Sequence, residues 1–249
     1  MNHTNHRVAL VTGATTGIGF AVAAKLAADG YTVIGTGVNE GRIAEAQEAL
    51  GASVRFLKAD VADANAVEAL FDVLRREHGR IDVLVANAGA GTVAALDEVT
   101  ETDIDRLFSI NFKGAFFAVQ KGVGLMDRGS SIVLLTSFLN ETGTPGFSIL
   151  SATKAAVRSL ARTIGAELAP RGIRVNAVSP GPISTPFHSK LGLTDAQLSE
   201  AATGIEAAVP MGRFGEAGEV ANAVAFLASE GASFITGTEV VVDGGLSQF

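Results

Sequence analysis

Strand-like and helix-like segments alternate along the whole chain, and this order constrains the fold more than any other feature. Short apolar runs rich in β-branched residues occur at residues 8–12, 32–36, 54–58, 82–86, 131–136, 174–178 and 239–242. Runs without polar alternation are typical of strands that are buried on both faces of a sheet. The segments between them space their apolar residues three and four apart, as helices do. We therefore predict one α/β domain over residues 1–249, with a doubly wound, seven-stranded parallel sheet.

The composition excludes several other classes of protein. The chain has 249 residues, of which 47% are hydrophobic, and no stretch approaches the roughly 20 apolar residues of a membrane span. The absence of cysteine excludes disulfides, thiol nucleophiles and cysteine-ligated zinc. A net charge of −7 gives no general attraction to nucleic acid or to an anionic membrane. We expect a cytoplasmic protein with no signal peptide, no nucleic-acid or membrane partner and no metal site.

A glycine-rich turn directly follows the first predicted strand. Its sequence is Thr-Gly-Ala-Thr-Thr-Gly-Ile-Gly over residues 12–19, and a helical pattern begins at its end. Glycines at such a turn let the backbone approach a pyrophosphate, while the helix N-terminus presents free N–H groups and a positive dipole end. The spacing is Gly-x-x-x-Gly-x-Gly and differs from Gly-x-Gly-x-x-Gly. Together with the strand–helix alternation, it predicts a dinucleotide-binding Rossmann fold.

Further motifs follow the glycine turn in a fixed order. They are Asp60-Val61, Asn87-Ala88-Gly89, Asn111, Ser137, Lys154 and Pro180-Gly181. With them, the chain resembles the short-chain dehydrogenase/reductase family over nearly its whole length. It looks most similar to the group of β-ketoacyl-carrier-protein reductases and bacterial sugar or alcohol dehydrogenases. The resemblance implies an NAD(P)-dependent oxidoreductase that interconverts a small-molecule carbonyl and an alcohol. It also implies a homotetramer that uses the helices near residues 103–126 and 147–168 and the last strand.

The resemblance assigns the dinucleotide contacts residue by residue. The implied pyrophosphate contacts are Gly13, Thr16, Gly17, Ile18 and Gly19. The implied adenosine contacts are Asn39, Asp60, Val61, Asn87, Ala88 and Gly89. The implied nicotinamide contacts are Lys154, Pro180, Gly181, Ile183 and Thr185. Within these sets, Asp60 would accept a hydrogen bond from the adenine amino group, and Thr185 and the Ile183 amide would orient the carboxamide. Asp60 and Asn87 also fit a simpler role as hydrogen-bonding residues of a loop and a strand end.

The sequence leaves the choice between NAD and NADP open. An acidic residue at the end of the second strand would bind the ribose 2′-hydroxyl, whereas an arginine there would favour a 2′-phosphate. Residues 36–39 of this chain, Thr-Gly-Val-Asn, contain neither. Arg42, early in the next helix, is either a phosphate contact or a solvated residue of the helix surface. We therefore expect NAD(P).

The catalytic set implied by the resemblance contains one gap. In the family a Tyr donates a proton to the carbonyl oxygen, a Lys four residues later lowers the pKa of that Tyr and holds the nicotinamide ribose, and a Ser thirteen residues before it binds the carbonyl oxygen. Here the Ser is Ser137 and the Lys is Lys154, but Leu150 stands at the Tyr position. Leucine has no titratable proton. The only tyrosine, Tyr31, lies at the start of the second strand, remote from Leu150 in a doubly wound sheet. The resemblance also implies that Asn111 holds a water that contacts Lys154.

Four other side chains are candidates for a substitute acid. Ser148 and Ser151 flank Leu150, Glu141 follows Ser137, and His188 lies within residues 179–216. Each also fits a simpler interpretation as a weakly acidic or solvated side chain. Residues 179–216 contain four of the six prolines, and we interpret them as a substrate lid, with a helix over residues 193–208.

Three hypotheses of function follow. The first is an oxidoreductase whose proton transfer is impaired or altered by Leu150, and the retention of Asn111, Ser137 and Lys154 favours it. The second is a dinucleotide-binding pseudoenzyme or regulatory subunit. The third is non-redox chemistry on an apolar substrate packed against Leu150, Phe147 and Phe138.

Overall fold

A computed structural model describes residues 7–186 and 195–249, and the side chains of residues 195–201 are not described. The main strands are β1 (Val8–Val11), β2 (Thr32–Gly37), β3 (Val54–Lys58), β4 (Val83–Ala86), β5 (Ser131–Leu135), β6 (Arg174–Pro180) and β9 (Glu239–Val242). The helices are α1 (Gly17–Ala28), α2 (Glu40–Leu50), α3 (Ala64–Glu77), α4 (Glu101–Leu107), α5 (Gly114–Gly122), α6 (Ser148–Leu168), α7 (Asp195–Ala208) and α8 (Ala217–Ala228). A π-helical segment, Phe108–Lys113, joins α4 to α5.

The main sheet has the strand order β3-β2-β1-β4-β5-β6-β9, and all of its neighbouring strands are parallel. This order confirms the predicted doubly wound Rossmann fold with a seven-stranded parallel sheet. The chain reverses its direction of travel across the sheet between β1 and β4. In open sheets of this type, ligands bind outside the carboxyl ends of the strands at that reversal point.

Alternate residues of the strands are buried in two separate cores, which explains the continuous apolar runs in the sequence. Ile132 and Leu134 of β5 pack in the core that also contains Phe71 of α3. Val133, between them, packs in the opposite core with Leu26 of α1. Because helices cover both faces, neither side of a strand tolerates a regular polar pattern.

The predicted lid, residues 179–216, contains regular structure that the sequence indicated only in part. β6 continues to Pro180, and α7 falls within the predicted helix over residues 193–208. Two short strands, β7 (Ile183–Ser184) and β8 (Gly215–Glu216), form a small parallel pair that was not predicted. A hydrogen bond of 2.9 Å from the Gly215 amide to the Pro182 carbonyl stabilises this pair. His188 lies outside the described residues.

None of the helices within the described residues is both long and apolar enough to cross a membrane. Across residues 7–186 and 195–249, no group of three or more histidines, cysteines and carboxylates is arranged to hold a metal ion.

Candidate active site

The turn between β1 and α1 requires glycine at three positions. Gly13 and Gly17 have φ angles of +65° and +57°, in the left-handed region that favours glycine. A Cβ on Gly19 would lie 2.2 Å from the Gly13 carbonyl oxygen and 2.4 Å from Asn87 Nδ2. The turn therefore brings its backbone into a compact arch that side chains would fill.

The first turn of α1 leaves its backbone N–H groups available to a ligand. The N-cap residue Thr16 makes no capping hydrogen bond with its side chain, and no acidic residue lies in the first turn. Such N–H groups, at the positive end of the helix dipole, bind phosphate oxygens well. The turn and the helix end thus fit a pyrophosphate.

Asn87, immediately after β4, connects the glycine turn to the neighbouring strand. Its Nδ2 donates hydrogen bonds to the carbonyl oxygens of Thr12 (2.9 Å) and Gly13 (3.0 Å). In return, Thr12 Oγ1 accepts hydrogen bonds from the backbone amides of Asn87 and Ala88, each at 3.1 Å. Asn87 therefore has the strand-end role that the sequence left open. Its contact with the adenosine ribose stays a prediction.

The other predicted adenosine contacts follow the ends of β2 and β3. Asp60 Oδ1 accepts a hydrogen bond of 2.9 Å from the Ala62 amide, which shapes the loop after β3. Val61 is buried against α5, where a Cβ on Gly114 would lie 2.8 Å from Val61 Cγ2. The hydroxyl of Thr36 in β2 is buried and has no hydrogen-bond partner among the described residues.

The end of β3, beside the loop after β2, carries a cation that the sequence did not indicate. Asn39 Oδ1 caps α2 by accepting a hydrogen bond of 3.0 Å from the Arg42 amide, and the Arg42 side chain is exposed. Lys58, the last residue of β3, pairs in register with Gly37 and forms a 2.7 Å ion pair with Glu40. This ion pair holds the pKa of Glu40 below its usual range. Lys58 was not recognised because its register with β2 appears only in the sheet.

The nicotinamide-side loop contacts the glycine turn and the last strand. The Gly181 amide donates a 2.9 Å hydrogen bond to the Val242 carbonyl, and a Cβ on Gly181 would lie 2.5 Å from Asp243 Cα. Thr185 reaches the turn before α1, since a Cβ on Gly17 would lie 3.2 Å from Thr185 Cβ. Residues predicted to bind the pyrophosphate and the nicotinamide therefore meet at one place.

Leu150 and Lys154 lie one turn apart on α6, and both side chains are buried. Lys154 Nζ donates a 2.7 Å hydrogen bond to the backbone carbonyl of Leu135, at the end of β5. Burial lowers the pKa of Lys154 to about 8, because desolvation disfavours its charged form. Leu150 offers this amine neither a hydroxyl nor a charge.

Asn111 lies in the π-helical segment and is buried beside this lysine. Its Oδ1 accepts a 2.8 Å hydrogen bond from the Ala90 amide, and its Nδ2 donates to Ala90 O and Thr153 Oγ1, both at 3.0 Å. Thr153 Oγ1 donates in turn to the Leu150 carbonyl at 2.8 Å. Asn111 Nδ2 uses both of its N–H donors in these bonds, whereas Oδ1 accepts only one hydrogen bond among the described residues and keeps a second lone pair that would accept one from a water. π-helical turns are frequent at functional sites.

Gly89 and Ser137 complete the surroundings of Lys154. A Cβ on Gly89 would lie 3.4 Å from Asn111 Oδ1 and 3.5 Å from Lys154 Nζ. Ser137 follows β5 and is half-buried, and its Oγ accepts a 3.3 Å hydrogen bond from the Leu139 amide. Gly89, Asn111 and Lys154 are thus brought together, with Ser137 two residues beyond the carbonyl that Lys154 binds.

Comparison with known proteins agrees with this geometry. A family model described as enoyl-(acyl carrier protein) reductase matches residues 13–247. The 3-oxoacyl-[acyl-carrier-protein] reductase FabG of Staphylococcus aureus is 38% identical over 244 residues, which cover 96% of this chain and 97% of that protein. The chain belongs to the short-chain dehydrogenase/reductase family. This assignment confirms the predicted resemblance.

Solved structures of other short-chain dehydrogenases/reductases superpose closely on this chain. The levodione reductase structure has a TM-score of 0.92 and 33% sequence identity, with 97% of each chain covered. The aldohexose dehydrogenase of Thermoplasma acidophilum has a TM-score of 0.87 and 34% identity, covering 97% of this chain and 94% of the other.

The substitute acids considered from the sequence are unevenly placed. Tyr31 is buried at the amino end of β2, whereas Ser137 follows the carboxyl end of β5, so the two lie at opposite ends of the parallel strands. The Arg7 guanidinium lies 4.4 Å from the Tyr31 ring centroid. Ser148 and Glu141 are exposed. Burial lowers the pKa of Arg158, and the negative charge of Glu141 partly opposes this effect. Ser151 is half-buried next to Leu150.

Proposed function

We propose that this chain binds NAD(P) and interconverts a carbonyl and an alcohol slowly, because its site lacks the phenolic proton donor of the family. The observation that carries the proposal is a buried Lys154 with Asn111 beside it and the apolar Leu150 one helical turn before it. The relatives are named as reductases and dehydrogenases of different compounds, so we propose no narrower substrate class.

Each residue of the site has a distinct task in this proposal. The bound dinucleotide supplies or accepts the hydride. The glycine turn and the α1 N-terminus hold its pyrophosphate, and the Ser137 hydroxyl donates a hydrogen bond to the substrate oxygen. Lys154 has three N–H donors when charged, of which the Leu135 carbonyl uses one. The others have no partner among the described residues and would hold the nicotinamide ribose and a water that replaces the phenol.

Replacing Leu150 tests the proposal directly. A positioned general acid contributes ~10²–10⁴-fold to rate, so Leu150→Tyr should raise kcat for NAD(P)H-dependent ketone reduction by a factor in that range. Leu150→Phe is the matched control, since it adds the ring without the hydroxyl, and it should give no gain. Thermal melting and fluorescence titration with NADH and NADPH establish that each variant folds and binds.

One observation favours a second candidate function, a dinucleotide-binding pseudoenzyme or regulatory subunit. Lys154 and Asn111 make structural hydrogen bonds to Leu135, Ala90 and Thr153, so both would be retained in a protein without turnover. If Leu150→Tyr binds the dinucleotide and remains inactive across a panel of ketones, this second function replaces the first. If neither dinucleotide binds the native chain, both proposals are wrong.

We also propose a cytoplasmic homotetramer. An aromatic row of Phe108, Phe112 and Phe116 runs along the α4–α5 side, with ring centroids 6.3 and 6.4 Å apart, and its members are only half-buried. Exposed aromatic surface of this kind is common at protein interfaces. The cytoplasmic location rests on composition alone and would be tested by cell fractionation.

A further inference from the structure

A buried carboxylate, Glu239, lies behind the turn that carries Ser137. It is the first residue of β9, and only 7% of its side chain is exposed. Its Oε1 accepts hydrogen bonds from Thr136 Oγ1 (2.5 Å) and Asn140 Nδ2 (2.9 Å). Thr136 directly precedes Ser137, and Asn140 ends the 3-10 turn Phe138–Asn140 that follows it. One oxygen atom therefore holds both flanks of the serine turn.

The second oxygen of Glu239 connects this turn to the lysine helix. Oε2 lies 3.2 Å from Arg158 Nε, which is within ion-pair distance although the Nε–H is not aligned for a hydrogen bond. Arg158 Nη1 donates a 3.0 Å hydrogen bond to the Gly237 carbonyl. Arg158 follows Lys154 by four residues on α6, so the two side chains leave the same face of the helix. The side chain of Arg158 is 11% exposed, and burial lowers its pKa.

The hydrogen bonds that Ser137 itself makes within the described residues are local. Its hydroxyl accepts a hydrogen bond from the Leu139 amide, and its carbonyl accepts one of 2.9 Å from the Asn140 amide. Neither bond fixes the turn relative to α6. A buried ion pair is poor evidence of a gain in stability, because desolvation offsets the attraction, and fixing one arrangement among several is its better-supported role.

We propose that Glu239 is a positioning residue, which with Arg158 fixes the Ser137 turn relative to the helix that carries Lys154. The consequence for turnover rests on the proposed function, since it requires the Ser137 hydroxyl to bind the substrate oxygen. The positional claim does not require it.

Hydrogen exchange and kinetics test the proposal in one set of variants. Glu239→Ala removes both connections, whereas Glu239→Gln keeps an oxygen acceptor for Thr136 and Asn140. Asp82→Asn is the matched control, because Asp82 is also a part-buried carboxylate that pairs with an arginine (Arg80) and accepts a backbone hydrogen bond, but at the amino end of β4. All variants are made with Leu150 and with Leu150→Tyr.

In Glu239→Ala, we expect the amides of Leu139 and Asn140 to exchange at least tenfold faster, with an intermediate effect in Glu239→Gln. Dinucleotide affinity should change less than twofold, because the network does not contact the glycine turn. In the Leu150→Tyr background, kcat should fall by roughly tenfold to a hundredfold, as for misplaced catalytic groups, with KM for the dinucleotide unchanged and partial rescue in Glu239→Gln. Asp82→Asn should alter neither the exchange of these two amides nor kcat.

Unchanged exchange at Leu139 and Asn140 in a folded Glu239→Ala variant would overturn the proposal. Uniformly faster exchange across the whole protein would overturn it too, since it indicates general destabilisation. If Glu239→Ala does not fold, the exchange rates of the Leu139 and Asn140 amides in Glu239→Gln test the proposal instead, and unchanged rates there would overturn it. Absence of turnover in Leu150→Tyr itself counts against the proposed function alone, because the exchange measurement still reports on the network.

Discussion

At the scale of single residues, the charge of Lys154 conflicts with its buried environment. It is buried, and the side chain one helical turn before it on α6 is the apolar Leu150. The pKa of its ammonium group falls from 10.5 to about 8. Below about pH 10.5, folding therefore either removes a proton from Lys154 or buries its positive charge.

This conflict predicts a pH-dependent stability. Between pH 8 and 10.5 the unfolded chain binds more protons at Lys154 than the folded chain, so the free energy of unfolding rises with pH in that window. Below pH 8 the burial penalty is fully present. Lys154→Met should exceed the native chain in stability most below pH 8, by at most about 3 kcal/mol, and the difference should shrink by pH 10. Urea unfolding from pH 6 to 10 measures it.

The control is Lys113→Met, which removes an exposed lysine and should differ from the native chain by an almost constant amount. A Lys154→Met difference that stays flat across this range would mean that folding does not lower the pKa of Lys154, so that the amine stays charged in the folded protein throughout the range.

A second residue-scale prediction concerns the glycine turn. Gly19→Ala places a methyl group against the Gly13 carbonyl and Asn87 and should weaken NAD(P)H binding more than tenfold in fluorescence titration. Gly218→Ala is the matched control, because a Cβ there meets no atom within 4 Å. It should leave binding intact and stabilise α8 by roughly 0.5–1 kcal/mol. Equal affinities in the two variants would contradict the compact arch.

The sequence predicted this turn well because each glycine has a local reason for its place. It could not predict what Glu239 contacts, because a glutamate within an apolar run normally indicates an exposed strand edge. Its partners Thr136, Asn140 and Arg158 come from segments about 80 to 100 residues away and meet it only in the folded sheet.

At the scale of elements, the uncapped start of α1 is the feature with the clearest chemical purpose. Most exposed helix N-termini gain stability from a side-chain cap, as Asn39 gives α2. Helix α1 lacks this cap.

The strands of the main sheet were predictable from the sequence because burial on both faces gave them continuous apolar runs. The two-residue strands β7 and β8 were not, since they are defined by contacts with each other.

Supplying the missing cap should separate stability from binding. Thr16→Asp adds a good N-cap and a negative charge, so it should raise the free energy of unfolding by about 1 kcal/mol. The same carboxylate would repel the pyrophosphate and lower dinucleotide affinity at least tenfold. Thr16→Ser, which keeps a neutral hydroxyl, should change affinity little. Chemical denaturation and titration measure both effects, and an affinity that survives Thr16→Asp would place the phosphates elsewhere.

At the scale of the whole molecule, the aromatic row along α4 and α5 predicts assembly through that side. Phe112→Glu should shift the mass measured by light scattering after size exclusion towards smaller species, because it places a charge within a half-buried aromatic row. Leu96→Glu changes an apolar side chain that is 83% exposed elsewhere and should leave the mass unaltered. A native chain that elutes as a monomer would make the tetramer prediction wrong.

The hydrogen bonds of Asn87 have a consequence for the order of folding and cofactor binding. This amide spans the point where the two halves of the sheet meet, holding a loop from the first half with a residue from the second. A chain emerging during synthesis completes β1 long before β4, so the phosphate cradle has no rigid form until both halves have docked. On the proposed function, a chain that takes up its dinucleotide would already have joined its two halves, and the bound nucleotide would then stabilise their junction.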